Sequence, residues 1–231
     1  MCPKMVKMDP IQSTSLNLFP TLVTEVDLNP ILNASDVCER IFSVGHEAVK
    51  WGLFGNSVST LPRVQPTYGR PHLKWLEEMP KYNLLEQPEF QDVRAAFDVA
   101  FADYAEKAGL LHLEQNVTWF NYSMDGSNVN NHRHRNATVS LTYYPSFPDG
   151  ASKLVVKAPH LLHFETEGEH YFINDVDSDK PTEYNYFEHE LQIKEGHAYI
   201  FPGWMYHYAN ASEATERITI ASIARNKKTY K

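Results

Sequence analysis

Cysteine is nearly missing from this chain of 231 residues. Only Cys2 and Cys38 occur, without a CxxC pattern, so no disulfide framework is encoded. Long apolar runs are missing too, and none approaches the roughly 20 residues that a membrane helix requires. The opening MCPKMVKMDPIQSTS is positively charged but has no apolar stretch behind it. No export signal is read there, and a cytoplasmic location is expected. A basic excess is also lacking. Lys and Arg number 21 against 29 Asp and Glu, a net charge of −8, which is the wrong sign for a nucleic-acid binder but leaves room for a local basic pocket. No repeat or low-complexity tract is visible.

What is present is globular. Hydrophobic residues reach 42% and aromatics 13%, which excludes wholesale disorder. A chain of this length suits one domain over residues 1–231, burying roughly 70% of its unfolded surface. Residues 17–27 read as an early strand. A helix is expected next, with Ser35 as its cap and Val37, Ile41, Val44, Ala48 and Trp51 at helical spacing. Residues 54–80 read as loops with short structured pieces. A second helix opens near Pro88, carries Phe90, Val93, Phe97, Phe101, Tyr104 and Ala108 as one stripe, and stops at Gly109. Beyond it come short β-rich stretches at 116–122, 138–144, 154–156, 161–164, 171–173, 184–193, 198–201 and 217–224. The pattern predicts a mostly β (α+β) fold, an antiparallel double sheet buttressed on one outer face by the N-terminal helices. Residues 1–112 would hold the early strand and helices, and 113–231 the β core.

Of eleven histidines, eight have no partner motif and read as surface or hydrogen-bonded side chains. His160 and His163, three apart, would point to opposite faces of a strand. His132 and His134 differ. They stand in Asn130-Asn131-His132-Arg133-His134, before a predicted strand at 137–144, and on extended backbone their rings share a face. A third imidazole, His207, follows the apolar stretch Ala198–Phe201 and the turn Pro202-Gly203. Three such ligands could hold one divalent ion and leave open positions. Arg217 lies ten residues further on, with Thr219 on the same face. If that face looks inward, the guanidinium needs an anion, and the carboxylate of a ligand would serve. The plainer reading of Arg217 is a surface ion pair with Glu213 or Glu216.

Trp119-Phe120-Asn121, Asn131 to His134, Ser140 to Tyr144, Gly196 to Pro202, His207 and Arg217-Ile218-Thr219 together resemble the iron(II)- and 2-oxoglutarate-dependent oxygenases. The likeness is to a bacterial and phage-type branch with an HxH motif, and Leu18-Phe19-Pro20-Thr21 also fits it. The resemblance implies a double-stranded β-helix, or jelly roll. It implies His132, His134 and His207 as ligands of Fe(II), with Arg217 and Thr219 holding 2-oxoglutarate, and Asn121 and Tyr143 lining the same pocket. It further implies consumption of O2, release of succinate and CO2, hydroxylation of an unactivated C–H bond, and ascorbate as an accessory reductant. One position departs from the family pattern: His134 stands where a carboxylate is usual, which makes the metal site more positive by one charge.

Two rivals compete. A cupin-type oxygenase or isomerase would explain Gly126 and Gly196, but no Glu follows His134 at the required distance and Arg217 would have no task. A non-catalytic jelly-roll binding module would employ Trp204, Tyr206 and Tyr208, for instance in stacking on sugar. The substrate, small molecule or peptidyl, is not encoded in a motif. The segment 54–80 and the acidic insert 163–186 are candidates for its rim. A homodimer is compatible with the sequence but not specified by it.

Overall fold

The computed structural model describes residues 20–48, 57–59, 84–123, 125–159, 187–214 and 217–226. The expected strands at 161–164 and 171–173, Trp51, and nearly all of the two proposed rim segments lie outside them. The described strands are β1 (Thr24–Asp27), β2 (Ser57–Ser59), β3 (Leu113–Ser123), β4 (Val129–His132), β5 (Val139–Ser146), β6 (Leu154–Lys157), β7 (Glu188–Glu190), β8 (His197–Pro202), β9 (His207–Ala209) and β10 (Arg217–Asn226). They form two antiparallel sheets. The larger runs β1-β8-β5-β10-β3-β2 and the smaller β4-β9-β6-β7. This is the mostly β double sheet of a jelly roll.

Period-two alternation assigns each side chain to one of two cores. In β8, Ala198 and Ile200 join Phe120, Leu141, Ile218 and Ile220 in a cluster with the helices, whereas Tyr199 and Phe201 turn toward Leu154 and Val156 of the smaller sheet. The helical side of the first cluster comes from α1 (Ala34–Ala48) and α2 (Gln91–Ala108). Val37 and Ile41 of α1 and Phe97 and Phe101 of α2 are fully buried in it, each contributing about 1.5–3 kcal/mol. Arg40 of α1 makes a bidentate pair with Asp92 of α2, at 2.7 and 2.9 Å, and it holds the Asp92 carboxyl below its ordinary value.

One helix boundary differs from expectation and another agrees with it. Asn33, not Ser35, caps α1: its Oδ1 accepts from the backbone N–H groups of Ser35 and Asp36 at 3.0 and 3.4 Å. Ser35 lies inside the first turn, where its own N–H already has that partner. At the other end of α2, Gly109 ends the helix in the left-handed region at φ 65°. Ala108 is exposed there, because the buried stripe has rotated away after Ala105. No helix among the described residues is long and apolar enough to cross a membrane.

Candidate metal and anion site

Adjacent strands of the smaller sheet set two of the imidazoles side by side. His132 ends β4 and stands directly across from His207, which begins β9, and their ring centroids are 4.2 Å apart. His134 lies beyond the end of β4 rather than at the start of β5. The turn after β8 places it: Gly203 accepts from the His134 N–H at 2.9 Å and donates to Thr138 at 3.0 Å. A Cβ on Gly203 would fall 2.4 Å from the Ala137 carbonyl oxygen, so this approach requires glycine. The His134 ring is 5.1 Å from each of the other two. One ligand atom from each residue lies within 4.8 Å of the others, a spread that one cation can close.

The tautomers are prepared as well. The Nδ1 of His132 is 2.8 Å from the Asn130 carbonyl, and that of His207 is 3.0 Å from the Met205 carbonyl. Each Nδ1–H donates to its carbonyl, which leaves the Nε2 lone pair for a metal. Burial lowers all three basicities, that of His134 to about 4 and that of His207 to about 3, and at these last two repulsion from neighbouring rings adds to the effect. The rings are therefore neutral near pH 7, and a metal displaces no proton from them. Trp119 stands edge-on to His134 and Phe201 to His207, at 5.7 and 4.8 Å.

The three imidazoles open into a pocket of about 510 Å3 between the sheets. Arg217 and Thr219, both almost fully buried at 3% and 5% exposure, line its far wall from β10. Arg217 Nη1 donates to the carbonyl and the hydroxyl of Ser152, at 2.7 and 2.5 Å, and Nη2 to Ser123 Oγ at 3.1 Å. Its Nε has no partner, and no carboxylate among the described residues pairs with it. The surface ion pair with Glu213 is thus not formed. Burial also pushes the guanidinium down from its ordinary value, although an arginine this far from neutrality keeps its charge. A buried cation without a counter-ion costs several kcal/mol, and an incoming carboxylate removes that cost.

Asn121 lies opposite Thr219 in the register of β3 and β10 and donates to its hydroxyl at 3.3 Å. Tyr143, expected to line the same pocket, does not. It pairs with Ile220, faces the helices and packs edge-on against Phe97 at 6.0 Å. Its neighbour Tyr144 lines the pocket instead, together with Ser140 and Thr142. In the register of β5 and β10, Tyr143 stands level with Ile220 and shares its face, not that of Thr219. Ser152 and Ser123 escaped sequence reasoning, since nothing in a lone serine marks the guanidinium it will hold.

Residues 117–222, just under half of the chain, match the protein family described as "Putative 2OG-Fe(II) oxygenase". No curated protein matches the sequence. Several solved structures share the fold. A prolyl hydroxylase from Trichoplax adhaerens, solved with a hypoxia inducible factor peptide fragment, is 8% identical, with a TM-score of 0.54 over 89% of this chain and 84% of that one. The viral collagen prolyl hydroxylase of Paramecium Bursaria Chlorella virus-1, in a 2OG complex, is 12% identical at TM-score 0.50, covering 89% and 96%. HygX from Streptomyces hygroscopicus, with nickel and 2-oxoglutarate bound, is 10% identical at TM-score 0.51, covering 90% and 84%.

Proposed function

We propose that the chain, whose residues 117–222 match a 2OG-Fe(II) oxygenase family, hydroxylates a substrate C–H bond, with His132, His134 and His207 holding the iron and Arg217 anchoring 2-oxoglutarate. The observation that carries this reading is the buried Arg217, which shares one pocket with three neutral imidazoles and has an unpartnered Nε. The donor set suits iron(II), for which imidazole is a good ligand. When bound, iron(II) and 2-oxoglutarate supply the oxidative chemistry, with O2 consumed and succinate and CO2 released.

The protein's own task is to orient and to exclude water. Ser152 and Ser123 fix the guanidinium plane from behind, so that it presents to a carboxylate in one orientation. The Asn121 amide donates to Thr219 Oγ1, so the hydroxyl proton of Thr219 is directed to the same carboxylate. Tyr144, driven well above the ordinary phenol range by burial, stays protonated as a neutral wall of the anion pocket. Trp119 and Phe201 close the site around the imidazoles, and a drier pocket strengthens each charge interaction inside it.

Anaerobic addition of Fe(II) and then 2-oxoglutarate to the protein tests the proposal. A visible charge-transfer band is expected in the wild type and not in Arg217→Ala. Absence of the band together with absence of 2-oxoglutarate binding by calorimetry, in wild-type protein, would overturn it.

A further inference from the structure

An arginine side chain turns about several bonds, so a place on β10 does not by itself fix where the charged head of Arg217 stops. Three contacts fix it. Nη1 donates to both the carbonyl and the hydroxyl of Ser152, at 2.7 and 2.5 Å, which uses both of its hydrogens. Nη2 donates to Ser123 Oγ at 3.1 Å. Of the five N–H groups of the fork, two have no partner among the described residues: that of Nε and the second one of Nη2. Nη2 is the arm beside Nε–H, so both free donors belong to one side edge of the plane. Ser152 closes the end of the fork and leaves that side edge open.

In this contact Ser152 is the fixed member and the arginine follows it. Ser152 is buried in the loop between β5 and β6, and its neighbours are tied down. Ala151 donates to the Pro148 carbonyl at 3.0 Å, and the Gly150 carbonyl accepts from the Glu213 N–H at 3.0 Å. Two residues after Ser152, Leu154 is already paired with Ala209 in the smaller sheet. The carbonyl and hydroxyl of Ser152 thus form a stop at a set depth, and the guanidinium rests against it. The opposite end of the cavity is set as well. Trp119, edge-on to His134, pairs with Ala221, four residues from Arg217 (221 − 217) and so roughly 13 Å along the strand. A diacid that must engage both ends meets a gap of fixed length.

We infer that Ser152 is a positioning residue that sets the length of the cosubstrate: it presents the side edge of Arg217 to the cavity and stops the head at the depth that suits 2-oxoglutarate rather than a longer 2-oxo diacid. The inference rests on the oxygenase reading and deepens it, by assigning the chain-length selectivity of that site. A carboxylate offers two parallel acceptors, which match Nε–H and Nη2–H in one plane. Removal of the Ser152 hydroxyl leaves space behind the guanidinium. The head then withdraws into it, and the gap lengthens.

Calorimetry on the Mn(II)-loaded full chain tests this with 2-oxoglutarate and 2-oxoadipate, which is one methylene longer. The wild type is expected to prefer 2-oxoglutarate by roughly tenfold or more, the usual worth of one methylene at a fitted site. Ser152→Ala should narrow that preference to below about threefold, whereas Ser152→Thr, which keeps the hydroxyl, should retain it. Ser123→Ala should weaken both acids alike and leave their ratio unchanged, because Ser123 holds the side arm and not the end of the fork. A wild type without preference, a ratio in Ser152→Ala equal to that of the wild type, or an equal narrowing in Ser123→Ala would overturn the role. Nitrogen-resolved NMR of the Zn(II)-loaded wild type reads the edge without any variant: 2-oxoglutarate should shift the Arg217 Nε–H resonance, and an unmoved resonance would also overturn it. A wild type that binds neither acid would instead sink the oxygenase reading itself, and this role with it.

Discussion

A single side chain, Arg217, sets apart two quantities that usually move together. In the ligand-free protein its charge is buried against two serines and, among the described residues, no carboxylate. Exchange for a flexible apolar residue should therefore stabilise the fold while removing the anchor. For Arg217→Met we expect a ligand-free unfolding free energy at or above that of the wild type, by on the order of 1 kcal/mol, with loss of 2-oxoglutarate binding by calorimetry. The three imidazoles give a pH dependence whose sign follows from their lowered basicity. In the unfolded chain each takes a proton as the pH falls through about 6.5, while in the folded chain His134 and His207 resist down to about 4 and about 3. The unfolded state thus binds more protons in that window. The stability is complete above about 6.5 and declines steadily as acid is added. A melting series on metal-free protein from pH 7.5 to 5 should show this slope, and His207→Phe should flatten it.

Among the elements, the turn after β8 deserves a mutational test because it acts on His134 from a distance. Gly203→Ala forces the turn off Ala137 and shifts the backbone bond that seats His134. Metal affinity is expected to drop roughly 10–100-fold, measured by competition with a chelator, while circular dichroism still reports a β fold. The cap of α1 gives a purely structural contrast: Asn33→Ala should cost about 1 kcal/mol in denaturant unfolding and leave metal affinity unchanged. Legibility in the sequence also varied by element. The strands β3, β5, β8 and β10 announced themselves because β-branched and aromatic residues dominate them. By contrast, β4 is Val-Asn-Asn-His, in which only Val129 favours a strand, and pairing to β9 imposes its extended form. The confusion of Tyr143 with Tyr144 has the same origin. The register of β5 and β10 slips between Ile218 and Ile220, beside Pro145, and a local pattern cannot show which neighbour a bulge will favour.

At the level of the whole molecule, the histidine and arginine constellation was readable although its members are far apart in the chain, because each sits at a fixed phase of a strand and the two-sheet fold brings those phases together. The serine cradle of Arg217 was not readable, since it depends on how the loop before β6 meets the end of β3. A fold that closes on ligands should also be stabilised by them. At a free concentration 100 times the dissociation constant, binding adds about 2.7 kcal/mol, or roughly 5–11 °C in a domain of this size. Thermal shift with Mn(II) and 2-oxoglutarate together should reach that range, and Arg217→Ala should retain only the part due to the metal.

The described wall of the main pocket contains no Asp or Glu, and that has a consequence for how the protein would keep its iron. A divalent cation resting on three uncharged rings, with a guanidinium in the same cavity, has no negative neighbour until the diacid enters. Metal retention and diacid binding should then be reciprocally coupled, each tightening the other by the same factor. Dialysis without 2-oxoglutarate would strip the ion, whereas the same dialysis with the diacid present would leave it in place.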